Sequence, residues 1–125
     1  MFLYFFIKNH FLLKRCKLRR ATEFAAVINF KHQVNGNLIQ IYAKPNRLGY
    51  ARFGLIVSKK IERHAVKRNR IKRILRETFR KHRSESGSQT LDWVIRIRRS
   101  LSKNESMELV SEMQLLMFQL QRCHD

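Results

Sequence analysis

The sequence predicts a single-domain α-β sandwich of the α/β class, in which three helices pack on a central sheet of three or four strands. Three observations indicate this fold class. A length of 125 residues fits one compact domain, and 44% hydrophobic residues can build its core. Helical and alternating apolar patterns also follow one another in the order helix, strands, helix, strand, helix. That order leaves no room for a second domain.

The first half of the chain is predicted to hold one short helix and two strands. Thr22 can cap a helix that ends at about Phe30, and residues 35–37 are typical of a turn. Residues 38–43 and 52–58 are rich in apolar and β-branched side chains, which predicts strands. In the first strand, alternation assigns Ile39, Ile41 and Ala43 to one face and Leu38, Gln40 and Tyr42 to the other.

The second half is predicted to hold a long helix, a strand and a final helix. The long helix covers about residues 66–82, and residues 84–88 indicate a flexible linker. Residues 93–98 predict a strand that directs Trp93, Ile95 and Ile97 to one face. Ser102 and Glu105 have the spacing of a capping box. The final helix is expected to bury Leu109, Met113, Leu116 and Leu120.

Residues 59–83 combine a basic composition with a helical apolar face. They contain 12 Lys or Arg and two acids. At about 100° per residue, one sector collects the apolar set Ile71, Ile74, Leu75, Thr78 and Phe79. The opposite side collects Asn69, Arg73, Arg76 and Arg80. A helix that buries one face and presents guanidinium groups on the other suits a polyphosphate ligand.

The net charge indicates an anionic partner. The chain has 27 Lys and Arg against nine Asp and Glu, which gives a formal charge of +18. So many positive charges repel one another unless a polyanion neutralises them. Nucleic acid is therefore the favoured partner. An anionic membrane and a merely solvated surface are the weaker alternatives. A membrane would favour one basic amphipathic helix over charge spread through the fold.

The residue types needed for catalysis by the protein itself are not grouped in the sequence. No acid pairs with a nearby acid as a two-metal or glycosidase site requires, and four glycines form no phosphate-binding loop. Cys16 and Cys123 lie far apart, and the five histidines show no metal-ligand spacing. We therefore expect no catalytic residue and no metal site in the chain.

The first twelve residues, 1–12, are expected to be a flexible extension, with the folded domain at residues 13–121. Met1 to Ile7 are apolar, but a membrane span needs about twenty such residues. A signal peptide would place basic residues before the apolar run, whereas Lys8 follows it. We expect a cytoplasmic protein, and membrane association through this segment is the minor alternative.

Aromatic side chains near basic groups predict a site for single-stranded RNA. Tyr42 and Gln40 share the more polar strand face, and Phe24 lies on the first helix. The basic residues before that helix include Lys14, Arg15 and Lys17. Bases can stack on such rings while cations bind the phosphates. A role in the core is equally open for Phe24, whereas the polar face favours exposure of Tyr42.

Two stretches resemble the bacterial ribonuclease P protein subunit. They are Phe53-Gly-Leu-Ile-Val-Ser-Lys-Lys-Ile and Ala65-Val-Lys-Arg-Asn-Arg-Ile-Lys-Arg-Ile-Leu-Arg-Glu-Thr-Phe79. The segments Leu18-Arg-Arg-Ala-Thr-Glu-Phe24 and Asp92-Trp-Val-Ile-Arg are similar to the same family. The resemblance runs from about Leu13 to Phe118, and its most specific part is the Arg68-Asn69-Arg70-x-x-Arg73 core.

The resemblance implies a fold and a function. The fold would have the order αβββαβα with a left-handed βαβ crossover, against the general right-handed rule. The protein would be a subunit of ribonuclease P, which removes the 5′ leader of precursor tRNA. It would bind the ribonuclease P RNA as a 1:1 ribonucleoprotein, with no membrane and no obligate protein partner. The RNA subunit would bind most of the Mg²⁺ and carry out the endonucleolytic chemistry, and the protein alone would not be catalytic.

The resemblance and the charge pattern together assign residues to two RNA-binding surfaces. The surface facing the catalytic RNA would comprise Lys59, Lys60, Lys67, Arg68, Asn69, Arg70, Lys72, Arg73, Arg76 and Arg80. A cleft between the first helix and the sheet would hold the leader with Phe24, Gln40, Tyr42, Lys14, Arg15 and Lys17. Ile28 stands where some members of the family carry a second aromatic residue.

Two other functions remain open at this point. A ribosomal-protein-like binder of ribosomal RNA would share the charge but not the cleft aromatics. A self-sufficient nuclease would need a carboxylate cluster.

Overall fold

A computed structural model describes residues 16–86 and 90–122, which form three helices and four strands. The helices are α1 (Ala21–Asn29), α2 (Ala65–Ser86) and α3 (Ser106–Arg122), and the strands are β1 (Gln33–Asn35), β2 (Ile39–Pro45), β3 (Arg52–Ile56) and β4 (Leu91–Ile97). One 3-10 turn, Lys103–Glu105, directly precedes α3. The predicted α-β sandwich and its order αβββαβα are confirmed.

The strands form one mixed sheet in the order β1-β2-β4-β3. β2 is antiparallel to both β1 and β4, whereas β3 runs parallel to β4. A parallel pair needs a crossover, and α2 supplies it, so β3, α2 and β4 form a βαβ unit. The left-handed sense of this crossover stays a prediction. Residues 16–18 lie along the outer side of β3, where the Leu18 N–H donates to the Phe53 carbonyl at 2.8 Å.

Three local boundaries differ from the sequence prediction. Arg20 rather than Thr22 precedes α1, and Glu23 Oε1 accepts the N–H of Arg20 at 3.0 Å. α2 extends through Ser86, so the predicted linker is wrong for residues 84–86, while residues 87–89 lie outside the described residues. β1 has only three residues, which is too short an alternation to be recognised in the sequence.

The larger core lies between one face of the sheet and the helices α2 and α3. The odd-numbered residues 39, 41 and 43 of β2 and 91, 93, 95 and 97 of β4 belong to it, as strand alternation predicts. The buried apolar helix residues of this core are Ile71, Leu75 and Phe79 of α2 and Leu109, Met113, Leu116, Met117 and Leu120 of α3, which include the four predicted in the final helix. Leu38 was assigned from the sequence to the opposite face but is buried in this core. It precedes β2, so the alternation of that strand does not govern it.

A smaller core lies on the other face of the sheet, under α1. Its buried residues are Leu18, Val27, Tyr42 and Val94, and the half-buried Phe24, Ile28 and Ile56 pack against them. In the strand register, Tyr42 pairs with Val94, which in turn pairs with Gly54. α1 therefore covers this row of the sheet. As a result, β4 has buried residues on both faces of the sheet.

Glu112 links α3 to the turn before β2 through hydrogen bonds. Its carboxylate accepts the N–H of Leu38 at 2.8 Å and of Ile39 at 3.2 Å, and also the N–H of Asn37. A Cβ atom on Gly36 would overlap the same carboxylate, so any other residue at this position would displace the Glu112 side chain. The partners are 73 to 75 residues apart in the chain, which is why no local pattern indicates the contact.

The predicted capping box is present before α3. The Ser102 N–H donates to Glu105 Oε1 at 2.9 Å, as the box requires. A backbone hydrogen bond of 3.2 Å from the Glu105 N–H to the Ser102 carbonyl closes the turn at the same place. Glu105 also forms an ion pair with Arg99. The hydrogen bonds from Arg99 and from the Ser102 N–H lower the pKa of Glu105 from 4.5 to about 2.

Acidification is expected to remove the contribution of Glu105 to stability. Because its pKa is lower in the folded state, the carboxylate stabilises the fold fully above the ordinary value of 4.5, and this contribution is lost as the pH falls towards about 2. The melting temperature of the wild-type protein should exceed that of Glu105→Gln at neutral pH, and the difference should shrink in acid. Calorimetry of both proteins across this range tests the expectation, which a pH-independent difference would contradict.

Candidate nucleic-acid interface

Helix α2 exposes cations on the side opposite its buried face. The buried face, which ends at Phe79, fixes the rotation of the helix about its axis. Of the predicted outward stripe, Asn69 and Arg73 are exposed, whereas Arg76 and Arg80 are half-buried at its edge. Among the other assigned residues of α2, Lys67 and Arg70 are exposed, and Arg68 and Lys72 are half-buried.

Two of the arginines assigned to this surface have partners inside the protein. Arg80 pairs with Glu77, and this hydrogen bond raises the pKa of Arg80 and lowers the pKa of Glu77. Arg68 Nη1 donates to the carbonyl oxygens of Glu62 at 3.0 Å and Arg63 at 2.9 Å. Arg68 therefore braces the loop before α2, a role that sequence reasoning missed.

The loop between β3 and α2 is held by the buried Glu62. Its carboxylate accepts the Ser100 hydroxyl at 3.2 Å and the His64 N–H at 3.3 Å. Burial raises the pKa of the Glu62 carboxyl, but these hydrogen bonds and nearby positive charge outweigh it and lower the pKa overall. Lys59 and Lys60 are exposed on this loop, so they are presented from a fixed backbone next to the start of α2.

Phe24 lies against the sheet at a glycine. Its side chain is half-buried, and a Cβ atom on Gly54 would come within 2.3 Å of Phe24 Cε1. A side chain at position 54 would therefore displace the ring. The sequence left a core role and an exposed role open for Phe24, and the structure gives it a partly exposed position at the edge of the smaller core.

Tyr42 is buried, with a relative exposure of 6%. Alternation placed it correctly on the face opposite Ile39 and Ile41, but the expectation that this face leaves Tyr42 exposed is wrong. The reason is that α1 covers the row to which Tyr42 belongs, and Val27 and Val94 pack in the same cluster.

The next row of the same sheet face is polar. The register places Asn35, Gln40 and Arg96 side by side across β1, β2 and β4. Gln40 is half-buried and its Nε2 donates to Gln33 Oε1 at 3.0 Å, while Arg96 is exposed. Sequence reasoning identified Gln40 but missed Arg96. The alternation of β4, which buries Ile95 and Ile97 on one side, is the signal that assigns Arg96 to the other.

Arg52 connects α1 to the sheet. Its guanidinium donates to Asp92 Oδ1 at 2.9 Å and Oδ2 at 2.7 Å, and to Glu23 Oε2 at 2.7 Å. Hydrogen bonding to Asp92 raises the pKa of Arg52, and the N–H of Arg20 is the main cause of the lowered pKa of Glu23. Because Glu23 also caps α1, this network sets where α1 lies over the smaller core.

The basic segment before α1 is described only in part. Lys17 is half-buried beside β3. Lys14 and Arg15, like the predicted extension 1–12, lie outside the described residues.

Neither a metal cluster nor a spanning helix occurs in the described part of the chain. Within residues 16–86 and 90–122, no three His, Cys, Asp or Glu side chains are grouped so that they could hold a metal ion. The helices formed by those residues are also not long and apolar enough to cross a membrane.

Comparison with known sequences finds one family over nearly the whole chain. Residues 12–121 match the family model described as Ribonuclease P. The "Ribonuclease P protein component" of Nitrosomonas eutropha is 47% identical over 103 residues, which cover 81% of this chain and 84% of that protein. The protein of the same name from Chromobacterium violaceum is 37% identical over 107 residues, which cover 86% of this chain and 87% of that protein.

Solved structures share the fold. A mutant Staphylococcus aureus RNase P protein superimposes with a TM-score of 0.75 at 24% identity, covering 92% of this chain and 93% of that chain. The Thermotoga maritima RNase P protein in complex with 1-(4-fluorophenyl)-2-thiourea gives a TM-score of 0.63 at 24% identity, covering 82% of this chain and 94% of that chain. At this level of identity the likeness establishes the fold.

Proposed function

The chain belongs to the ribonuclease P protein family, and we propose that it binds the ribonuclease P RNA in a 1:1 ribonucleoprotein that removes the 5′ leader of precursor tRNA. The observation that carries this proposal is the surface of α2. Its exposed cations project from a helix whose opposite face is buried in the larger core. A rigid array of this kind matches the phosphates of a folded RNA better than a flexible basic tail would.

The contacts around α2 divide its residues into two roles. Arg70 and Arg73 are exposed and suited to phosphate oxygens, because a guanidinium can donate two parallel hydrogen bonds. Lys59 and Lys60 extend the same positive surface onto the loop before α2. Arg68 acts indirectly, since it holds that loop in place through backbone carbonyls.

We propose that the leader lies as a single strand on the sheet face beside α1. The partly exposed ring of Phe24 offers a stacking surface, and the polar row with Gln40 and Arg96 offers hydrogen bonds and positive charge nearby. Tyr42 supports this surface from below, because its side chain is buried between the sheet and α1, beside Val94.

The RNA subunit is proposed to bind most of the Mg²⁺ and to carry out the phosphodiester hydrolysis, with the protein supplying no catalytic residue. Apart from Asn69, the proposed RNA-facing side chains of α2 are cations, which bind phosphate oxygens, whereas Mg²⁺ requires oxygen ligands. The protein therefore supplies charge neutralisation and positioning within a cytoplasmic ribonucleoprotein.

Cleavage of precursor tRNA tests the proposed function directly. The substrate is incubated at low Mg²⁺ with the protein alone, with its cognate ribonuclease P RNA alone, and with both. We expect efficient cleavage at the mature 5′ end only in the complete mixture, because the protein neutralises phosphates that low Mg²⁺ leaves exposed. Cleavage by highly purified protein alone would indicate a nuclease, and the absence of stimulation would favour a binder of another RNA.

Replacing Phe24 by alanine is expected to weaken binding of leader-bearing precursor tRNA to the holoenzyme by about 1–3 kcal/mol, the cost of one lost stack. Binding of mature tRNA should be unchanged. Phe30→Ala is the matched control, because Phe30 is an exposed aromatic residue just after α1. Equal losses with both substrates, together with a lower melting temperature, would assign Phe24 to the core. We expect that second outcome for Tyr42→Ala.

A further inference from the structure

A groove runs between the first half of α2 and the segment that leads into α3. It contains a cavity of about 50 Å³. The lining residues are Lys67, Arg70, Ile71, Ile74, Leu101, Ser102, Lys103, Ser106 and Leu109. The groove is thus apolar in its walls, with hydroxyl groups and cations around its opening.

The cavity continues into a wider depression at the start of α2. Lys67, Arg70 and Lys103 line both, so the two spaces adjoin. Val66 adds an apolar side chain that is 81% exposed to the depression, and His64 lies at its border.

The acids near this groove already have partners. Glu62 accepts hydrogen bonds from Ser100 and His64, and Glu105 pairs with Arg99 and Ser102. The rim cations Lys67, Arg70 and Lys103 form none of the ion pairs found among the described residues. Three cations around an apolar slot complement a planar apolar ring carried on an anionic backbone.

We propose that this groove receives one unstacked nucleobase of the ribonuclease P RNA, with Lys67, Arg70 and Lys103 binding the phosphates on either side of it. The inference rests on the proposed function, since it names a contact within the same complex. The cavity of about 50 Å³ suits the edge of a single ring, and the cations around it suit the phosphates of the backbone that carries the ring. The half-buried Ile74 and Leu101 contact the face of the base. The hydroxyls of Ser102 and Ser106 donate to Glu105 Oε1 and to the Lys103 carbonyl, so each accepts a hydrogen bond from the polar edge of the base.

A pair of matched substitutions on α3 tests the proposal without changing charge. Ser106→Phe fills the groove, whereas Ser111→Phe adds the same side chain to an exposed position outside it. We expect Ser106→Phe to weaken binding of the cognate ribonuclease P RNA roughly ten-fold, and Ser111→Phe to leave it unchanged. Ile74→Phe is a second filling variant, and circular dichroism melts of all three confirm that each protein folds.

Chemical probing of the RNA bases identifies the occupant. A base that the wild-type protein and Ser111→Phe protect should become reactive with Ser106→Phe. The salt dependence of binding should keep its slope in Ser106→Phe, because the substitution removes no cation, whereas Lys67→Ala should flatten it by about one unit. If the wild-type protein binds the RNA tightly but folded filling variants bind equally well, the groove is not a base site and the proposed function still stands. If the wild-type protein does not bind this RNA, both are overturned.

Discussion

Replacing Arg52 by alanine is expected to destabilise the fold by about 3 kcal/mol, the lower end of the range for breaking a buried ion pair. Arg52 donates to Asp92 through Nε and Nη2 and to Glu23 through Nη1. The side chain of Asp92 is only 8% exposed, so alanine at position 52 leaves a nearly buried carboxylate without its cation. The Arg52 side chain is 21% exposed, which places the expected loss at the low end rather than the high end.

Chemical denaturation of Arg52→Ala, Arg52→Lys and Arg96→Ala measures this effect. Arg96→Ala is the control because Arg96 is exposed on β4, and it should change stability by less than about 0.5 kcal/mol. Arg52→Lys should fall between the two, since a lysine keeps the charge but not the fork that engages both carboxylates. If Arg52→Ala and Arg96→Ala unfold at the same denaturant concentration, the network does not stabilise the fold.

The features that the sequence predicted are those with a strong local period. α3 buries all four predicted residues, because a helix with apolar side chains at three- and four-residue intervals can satisfy them only on one face. The alternation of β4 likewise directed Trp93, Ile95 and Ile97 into the larger core. In both cases the pattern over seven or more residues determines the outcome without knowledge of the partner.

The features that the sequence did not predict depend on distant partners. Arg52 lies 29 residues from Glu23 and 40 residues from Asp92, and Glu112 reaches a turn more than 70 residues away. No periodicity encodes such pairs. The position of α1 over β2 and β4 is of the same kind, and it explains the error at Tyr42: a polar neighbour on the strand indicated exposure, but a helix from elsewhere in the chain covers the residue.

The sequence predicts which side of α2 faces outward, but it does not predict the contacts of the individual side chains there. The buried face fixes the rotation of the helix, so the exposure of Asn69 and Arg73 follows from spacing alone. The hydrogen-bond partners of individual cations cannot be predicted from spacing. Arg68, for example, has a long flexible side chain that bends back to donate to two backbone carbonyls. The groove beside α3 could not be predicted from the sequence either, because its walls come from two helices that are distant in the chain.

The double variant Arg70→Ala/Arg73→Ala is expected to lose about 2–6 kcal/mol of binding free energy for the ribonuclease P RNA, about 1–3 kcal/mol for each charge-assisted contact. Both side chains are exposed, and neither contributes to the larger core, so the thermal melt of the free protein should be nearly unchanged. Each lost phosphate contact should also reduce the slope of log K against log salt by about one unit, so the slope should fall by about two.

Arg47→Ala/Arg122→Ala is the matched control, because it removes the same charge from exposed positions outside α2. If affinity depended only on net charge, the two double variants would weaken binding equally and flatten the salt dependence equally. If α2 is the docking surface, the control should lose well under 1 kcal/mol, since charges far from the contact act only through screened long-range attraction. Filter binding at several salt concentrations, with melting curves for each protein, separates these outcomes. A loss of the folded state in Arg70→Ala/Arg73→Ala would instead show that these two arginines stabilise the domain.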